Sequence, residues 1–286
     1  MPKAQTAEKT TAPQPLAPLL SLRPYQQGKS KVPGRDEVIK LSSNECCFGP
    51  SPAAMQAFVD SAPELHRYAD GSQQALREAI AAEYALDASR IVCGNGSEEL
   101  IGLFIRCYAG PGHDIVLSEN HFVMCSIYGT SQGAAIHLAP EKHFRIDIDA
   151  ILGEITDNTR VLAIANPNNP TGTYVPAADI RRLVESTPKD VLIILDGAYA
   201  EYVDKTDFDD GHKWVESCDN VVMTRTFSKI YGLAGLRIGW AYGPPAVIEI
   251  VNRLRTPFNA SGPAMAAAVA ALGDHQHVNR VREHNT

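Results

Sequence analysis

The chain has 286 residues, 44% of them hydrophobic and 21% charged, which fits a soluble globular protein with room for one large domain and a smaller one. Its 33 Asp and Glu outnumber its 26 Lys and Arg, giving a net charge of -7 that argues against a nucleic-acid binder. An anionic ligand would have to be held by a local cluster of donors.

The six cysteines form no C-x-x-C, and the nine histidines form no H-E-x-x-H, so no metal site is expected. Cysteines within apolar runs, such as Cys93, read as reduced thiols of a cytoplasmic protein. Adjacent Cys46 and Cys47 stand in a polar turn, and no function attaches to them. No apolar run approaches the length of a membrane span.

Residues 1–20 are rich in Pro, Ala, Thr and Gln and read as a disordered tail with neither a signal nor a transit pattern. Residues 21–50 read as an extended arm that also contributes to a small domain, with a short strand at Val38–Leu41 and a turn at Ser43–Pro52. A helix is expected over Ala53–Val59. A second is expected over Gln73–Tyr84, where Leu76, Ile80 and Tyr84 share one face.

From Arg90 onward short β-like runs alternate with helical stretches. The runs are Ile91–Cys93, Ile115–Leu117, Ile136–Leu138, Val161–Ala165, Val191–Leu195, Val221–Thr224 and Ile238–Tyr242. The helical stretches are Ser97–Tyr108, Phe122–Gln132, Ile148–Ile155 and Ala177–Glu185. This pattern predicts an α/β fold, a seven-stranded and mostly parallel sheet between helices. Ligands of such sheets bind beyond the carboxyl ends of the strands.

Gly94-Asn95-Gly96-Ser97-Glu98-Glu99 follows the first run and opens a helix, where glycines and free N–H groups suit a phosphate. A glycine turn with a serine cap is the other reading. The string fails as a dinucleotide fingerprint, because Glu99 stands where G-x-G-x-x-G needs glycine. A nicotinamide oxidoreductase is disfavoured on that ground. Phe122, after a polar turn, is a flat ring suited to stacking or to the core.

NPNNPTG, at 166–172, follows the fourth run and is more than a reversal requires. Asn169 within it can donate to a phenolate-like oxygen. Asp196 ends the fifth run, where a carboxylate is costly without a partner. A protonated pyridine nitrogen would serve, with Tyr199 reaching a ring hydroxyl; a helix cap or a Mg²⁺ ligand are the alternatives.

In TFSKIYGLAGLRIGW, Lys229 stands at the mouth of a buried run between hydroxyls, and Arg237 follows eight residues later. A desolvated lysine is partly neutral and can form a Schiff base, while arginine offers a fork of donors to phosphate. Taken with the upstream strings, the pair suggests pyridoxal 5'-phosphate. Alone, the pair reads first as an ordinary Lys and Arg on loops either side of a strand.

Asp196-x-Ala198-Tyr199, Ser228-Lys229 and Arg237, preceded by NPNNPTG, resemble the motif set of fold-type I pyridoxal-phosphate transferases. LRPYQQGKS, LSSNECCFGPSP, HRYADG, GNGSEELI, ANPNNPTGTY, LDGAYAEY and TRTFSKIYGLAGLRIGW resemble, more narrowly, the histidinol-phosphate aminotransferases. The resemblance implies that Lys229 holds the cofactor and shuttles the substrate proton, with Asp196 at the ring nitrogen. It places Tyr199 and Asn169 at the ring oxygen and Phe122 on the ring face. Thr226, Ser228, Arg237 and the backbone at Ser97 and Glu98 would hold the phosphate.

Tyr68 resembles a tyrosine that reaches this phosphate from a neighbouring subunit, which implies a homodimer. Tyr25 and Asn44 would sit beside the substrate. The implied reaction moves an amino group from L-histidinol phosphate to 2-oxoglutarate; an aromatic amino-acid aminotransferase or a threonine-phosphate decarboxylase would share the cofactor residues. The resemblance further divides the chain into a large domain over 51–260 and, from 261, the start of an incomplete small domain whose long entry helix breaks off at Asn285-Thr286. An inactive cofactor-binding remnant is therefore a further expectation. NECC stands where the family has Asn-Glu-x-Pro.

Overall fold

The computed structural model describes residues 13–26, 28–29, 33–34 and 38–285. The expected tail lies outside the described residues as far as residue 12, and its described remainder enters a 3-10 turn at Ala17–Ser21. Thr286 also lies outside them.

Seven strands form one sheet: β1 (Ile91–Gly94), β2 (Asp114–Ser118), β3 (Ala135–Ala139), β4 (Thr159–Ala165), β5 (Leu192–Asp196), β6 (Val221–Thr226) and β7 (Gly239–Tyr242). Their order is β1-β7-β6-β5-β4-β2-β3, with β7 antiparallel to both neighbours and all other pairs parallel. The expected seven-stranded, mostly parallel sheet is therefore present. Because β7 is reversed, β1 runs with β6, and the carboxyl ends of β1, β2, β4, β5 and β6 share one edge of the sheet.

The central strands are continuous apolar runs because both faces are covered. Alternate residues enter two separate cores, as side chains of a strand must. Leu192 and Ile194 of β5 join one with Val161, Ala163 and Val222. That core is closed by α3 (Ser97–Tyr108), α4 (Met124–Ser131) and α8 (Pro245–Leu254). Ile193 and Leu195 join the other with Leu162, Ile164 and Met223. It is closed by α2 (Gln74–Tyr84), α5 (Ile148–Gly153), α6 (Ala177–Ser186), α9 (Gly262–Leu272) and α10 (His275–Asn285). Each fully buried Leu or Ile contributes about 1.5–3 kcal/mol of transfer free energy.

Local chemistry sets the helix ends. Helix α1 (Pro52–Asp60) starts where the Ser51 hydroxyl accepts from Ala54 N at 3.2 Å and Pro52 supplies a preset φ. It packs on α9, whose alanines permit close approach. The short helix α7 (His212–Ser217) precedes β6.

Three expectations are corrected. Val38–Leu41 is not a strand: among the described residues it pairs with no other segment, and Ile39 is 86% and Leu41 81% exposed. Phe122 lies in the turn before α4, not inside the helix. The expected long entry helix is two helices, because Gly273 ends α9 and the Asp274 carboxylate accepts from His277 N at 3.1 Å to start α10. Among the described residues no helix is long and apolar enough to cross a membrane.

Candidate active site

Asp196 is the last residue of β5, and the parallel register sets it beside Thr224 of β6. The carboxylate is 8% exposed and accepts a 2.8 Å hydrogen bond from the Thr224 hydroxyl. Burial pushes its pKa up to about 6, since a charge in an apolar strand end lacks the solvation of water. A cation placed against it would offset that cost.

The turn after β5 delivers Tyr199 to the same edge, and its hydroxyl accepts from Asn44 Nδ2 at 3.0 Å. Lys229 leaves the turn after β6. Its Nζ lies 5.5 Å from the centre of the Tyr199 ring and donates to the Ser43 carbonyl at 2.9 Å. Burial, and then the Arg237 guanidinium, hold the Lys229 amine below the usual lysine range. Such an amine is partly neutral, as a nucleophile requires.

A cradle for an anion stands beside it. Gly96 has φ 92° and precedes the first turn of α3, leaving N–H groups of that turn without helical partners. Arg237 lies across this helix start. Its Nη1 donates to Ser228 Oγ at 3.1 Å and to the Ala234 carbonyl at 3.2 Å. The backbone conformation at Gly96 suits glycine, and a Cβ there would come within 2.6 Å of Arg237 Nη2 and push the guanidinium aside. Thr226 closes the cradle from the end of β6, where its hydroxyl accepts from Ser228 N at 3.1 Å. Arg237 itself has φ 51°, a conformation that costs a non-glycine residue energy and here aims its side chain.

These groups line one cavity of about 540 Å³. Of the residues singled out from sequence, Tyr25, Ser97, Glu98, Phe122, Asn169, Asp196, Tyr199, Thr226, Ser228, Lys229 and Arg237 all border it. Asn44 joins through its bond to Tyr199. Tyr68 does not reach the cavity of its own chain: it is 85% exposed and stacks on Phe258 with ring centres 4.6 Å apart.

Within NPNNPTG only Asn169 borders this cavity. Asn166 exchanges two hydrogen bonds with the Val175 backbone, and Asn168 donates to the Asn120 carbonyl at 2.7 Å, so both amides shape the loop. Asn166-Pro167 and Asn169-Pro170 are cis. Sequence reasoning missed Thr224, whose partnership with Asp196 depends on strand register. It also missed Lys40, Ser43 and Glu45, which border the cavity from a segment without secondary structure. Among the described residues no group of three or more His, Cys, Asp or Glu could hold a metal ion.

Residues 36–286 match the family described as aminotransferase class I and II. The histidinol-phosphate aminotransferase of Granulibacter bethesdensis is 50% identical over 274 residues, which are 96% of this chain and 74% of the relative. That of Paramagnetospirillum magneticum is 48% identical over 96% of this chain and 76% of its own length. The chain thus spans about three quarters of these curated relatives. Among solved structures, the histidinol-phosphate aminotransferase of Sinorhizobium meliloti, in complex with pyridoxal-5'-phosphate, superposes with a TM-score of 0.80 at 29% identity. The match covers 84% of this chain and 66% of that one. The aspartate aminotransferase of Thermus thermophilus, at 19% identity and a TM-score of 0.77, shares the fold.

Proposed function

The chain belongs to the class I and II aminotransferases, and from that premise we propose that it moves an amino group from L-histidinol phosphate to 2-oxoglutarate. The products are imidazole-acetol phosphate and L-glutamate, in a step of histidine biosynthesis. The cofactor of the reaction is pyridoxal 5'-phosphate.

One observation carries the reading: a buried carboxylate, a half-buried amine and an arginine laid across a helix start border one cavity. The residues fit the cofactor. Asp196 has a burial cost that a ring-nitrogen cation would relieve, and the space above Gly96 that a Cβ would fill is taken by the arginine of an anion cradle. When bound, pyridoxal phosphate supplies a reactive aldehyde and an electron-withdrawing ring.

The rest falls to the chain's own side chains. Lys229 holds the cofactor through its amine and moves the proton at the substrate Cα, a task its lowered pKa suits. Asp196 would hold the ring nitrogen in its protonated form. Tyr199 and Asn169 would hold the ring oxygen, and Phe122 would pack against the ring. Ser97, Glu98, Thr226, Ser228 and Arg237 bind the phosphate through the backbone N–H groups, hydroxyls and guanidinium already arranged there. Tyr25 and Asn44 contact the substrate.

Tyr68, standing free of its own cavity, fits a homodimer in which it reaches the phosphate of the second copy. Residues 51–260 make the large domain, into whose second core α9 and α10 also pack, and the enzyme works in the cytoplasm.

The test is direct. Purified chain is loaded with pyridoxal phosphate, treated with L-histidinol phosphate or with an aromatic amino acid, and followed by absorbance and by glutamate formed from added 2-oxoglutarate. The reading expects a spectral change and glutamate with histidinol phosphate in clear preference. A static spectrum, or borohydride labelling of a residue other than Lys229 in a mass-mapped digest, overturns it.

A further inference from the structure

Arg225 of β6 does not border the cofactor cavity. Thr224 and Thr226 point to the cavity side, and strand alternation turns Arg225 to the other face. There it is 2% exposed. Its Nη1 donates to Glu201 at 3.2 Å and its Nη2 to Asp210 at 2.8 Å. Asp210 in turn pairs with His212 Nδ1 at 2.5 Å.

The network continues into the lysine turn. The Tyr84 hydroxyl donates to Glu201 at 3.3 Å and lies 2.8 Å from the Tyr231 hydroxyl, two residues past Lys229. The guanidinium also explains a glycine: a Cβ on Gly197 would come within 3.0 Å of Arg225 Nε and 3.2 Å of the Thr224 carbonyl. That Nε is buried without a hydrogen-bond partner among the described residues. Gly197, between Asp196 and Tyr199 in that turn, thus lies against a buried cation, and the same cation is tied through Glu201 and two tyrosines to the turn that carries Lys229.

Resting on the pyridoxal phosphate reading above, we propose that Arg225, Glu201, Tyr84 and Tyr231 form a positioning network. It fixes the Asp196–Tyr199 turn against the Lys229 turn and so sets how tightly, and in which protonation state, the site holds its cofactor. None of the four touches the cofactor; they act through the two turns. Glu201, Asp210, Tyr84 and Tyr231 are the groups whose charge Arg225 feels, and Arg225 in turn lowers the proton affinity of Asp196. A lysine could not replace it, because one ammonium cannot span two carboxylates as a guanidinium fork does.

Three quantities test this on the full chain: the dissociation constant for pyridoxal phosphate, the pH midpoint of the bound cofactor's absorbance, and the melting temperature of protein stripped of cofactor. R225Q and Y231F are expected to bind cofactor about tenfold more weakly, as misplaced turns would. R225Q should also move the midpoint upward by about half a pH unit, because a nearby cation is lost. R225K should fail to restore the parent values, and K213Q, a charge change in the neighbouring helix α7, should match the parent. If R225Q does not fold, Y231F carries the test, since it removes one hydroxyl and leaves the buried ion pairs intact. Variants that melt lower yet keep the parent's affinity and midpoint show a purely structural role and overturn the proposal. A parent chain that takes up no pyridoxal phosphate overturns the cofactor reading and this one with it, whereas a parent that binds and variants that match it overturn this one alone.

Discussion

The ends of β5 and β6 and the segment 40–49 face each other across the same cavity, and they are held in opposite ways. Asp196, Thr224 and Thr226 are buried and fixed by ladder hydrogen bonds in a central pair of strands. Asn44, Glu45 and Ser43 stand on backbone without regular structure, joined to the strand side by single contacts to Tyr199 and Lys229. The strand side is therefore held in place by the sheet itself. The arm side gains order only from what it touches, so it suits substrate contact and adjustment.

The sharpest break of that comparison is at Lys229. Lys229→Ala is expected to lower the transamination rate by about 10³-fold or more while the protein still folds, read by steady-state kinetics beside circular dichroism. An arm-like loss, confined to KM, would place the amine outside the chemistry.

Asp196→Asn comes next, with a loss of about 10²-fold in kcat. It also carries a stability signature. The folded-state pKa of Asp196 is raised to about 6, so its contribution to stability is present below the unfolded value near 3.8 and is lost as pH rises through about 6. Stripped of cofactor, the Asn variant should then outlast the parent at pH 8 by up to about 3 kcal/mol, with the gap closing between pH 6 and pH 4 in urea titrations. A gap independent of pH would mean that the carboxylate is not desolvated.

On the exposed side, Tyr68→Phe is expected to weaken cofactor binding about tenfold with little change in melting temperature, because among the described residues its hydroxyl makes no hydrogen bond and the residue is 85% exposed. An equal affinity in the variant would remove the argument for a second copy at the site. The smallest effect belongs to Ser51→Ala, which deletes the α1 cap: about 1 kcal/mol of stability should go, by thermal melting, with kcat unchanged.

Much of the strand-side chemistry was legible because it sits where apolar runs stop. Asp196, Lys229 and Asn169 each follow such a run, and the α/β alternation alone says that these ends share an edge. Thr224 was not legible, since pairing it with Asp196 needs the register of two strands 28 residues apart in the chain. Arg225 was hidden for the same reason: a charge inside an apolar run says that a partner exists, and Glu201 and Asp210 are fixed as partners only by the turn after β5 and the loop before α7. On the arm side the apolar letters of Val38–Leu41 misled, because an apolar run becomes a strand only where another strand is free to receive it.

The reversed direction of β7 has a consequence for how the gene can vary. Running against β6, it makes 227–238 a hairpin connection closed by Thr226 opposite Gly239 and by the Phe227 N–H to the Ile238 carbonyl at 3.1 Å. The Lys229 amine and the Arg237 guanidinium, proposed to hold opposite ends of the cofactor, are therefore carried on a single clip of backbone. Losing or gaining one codon there would displace both groups at once.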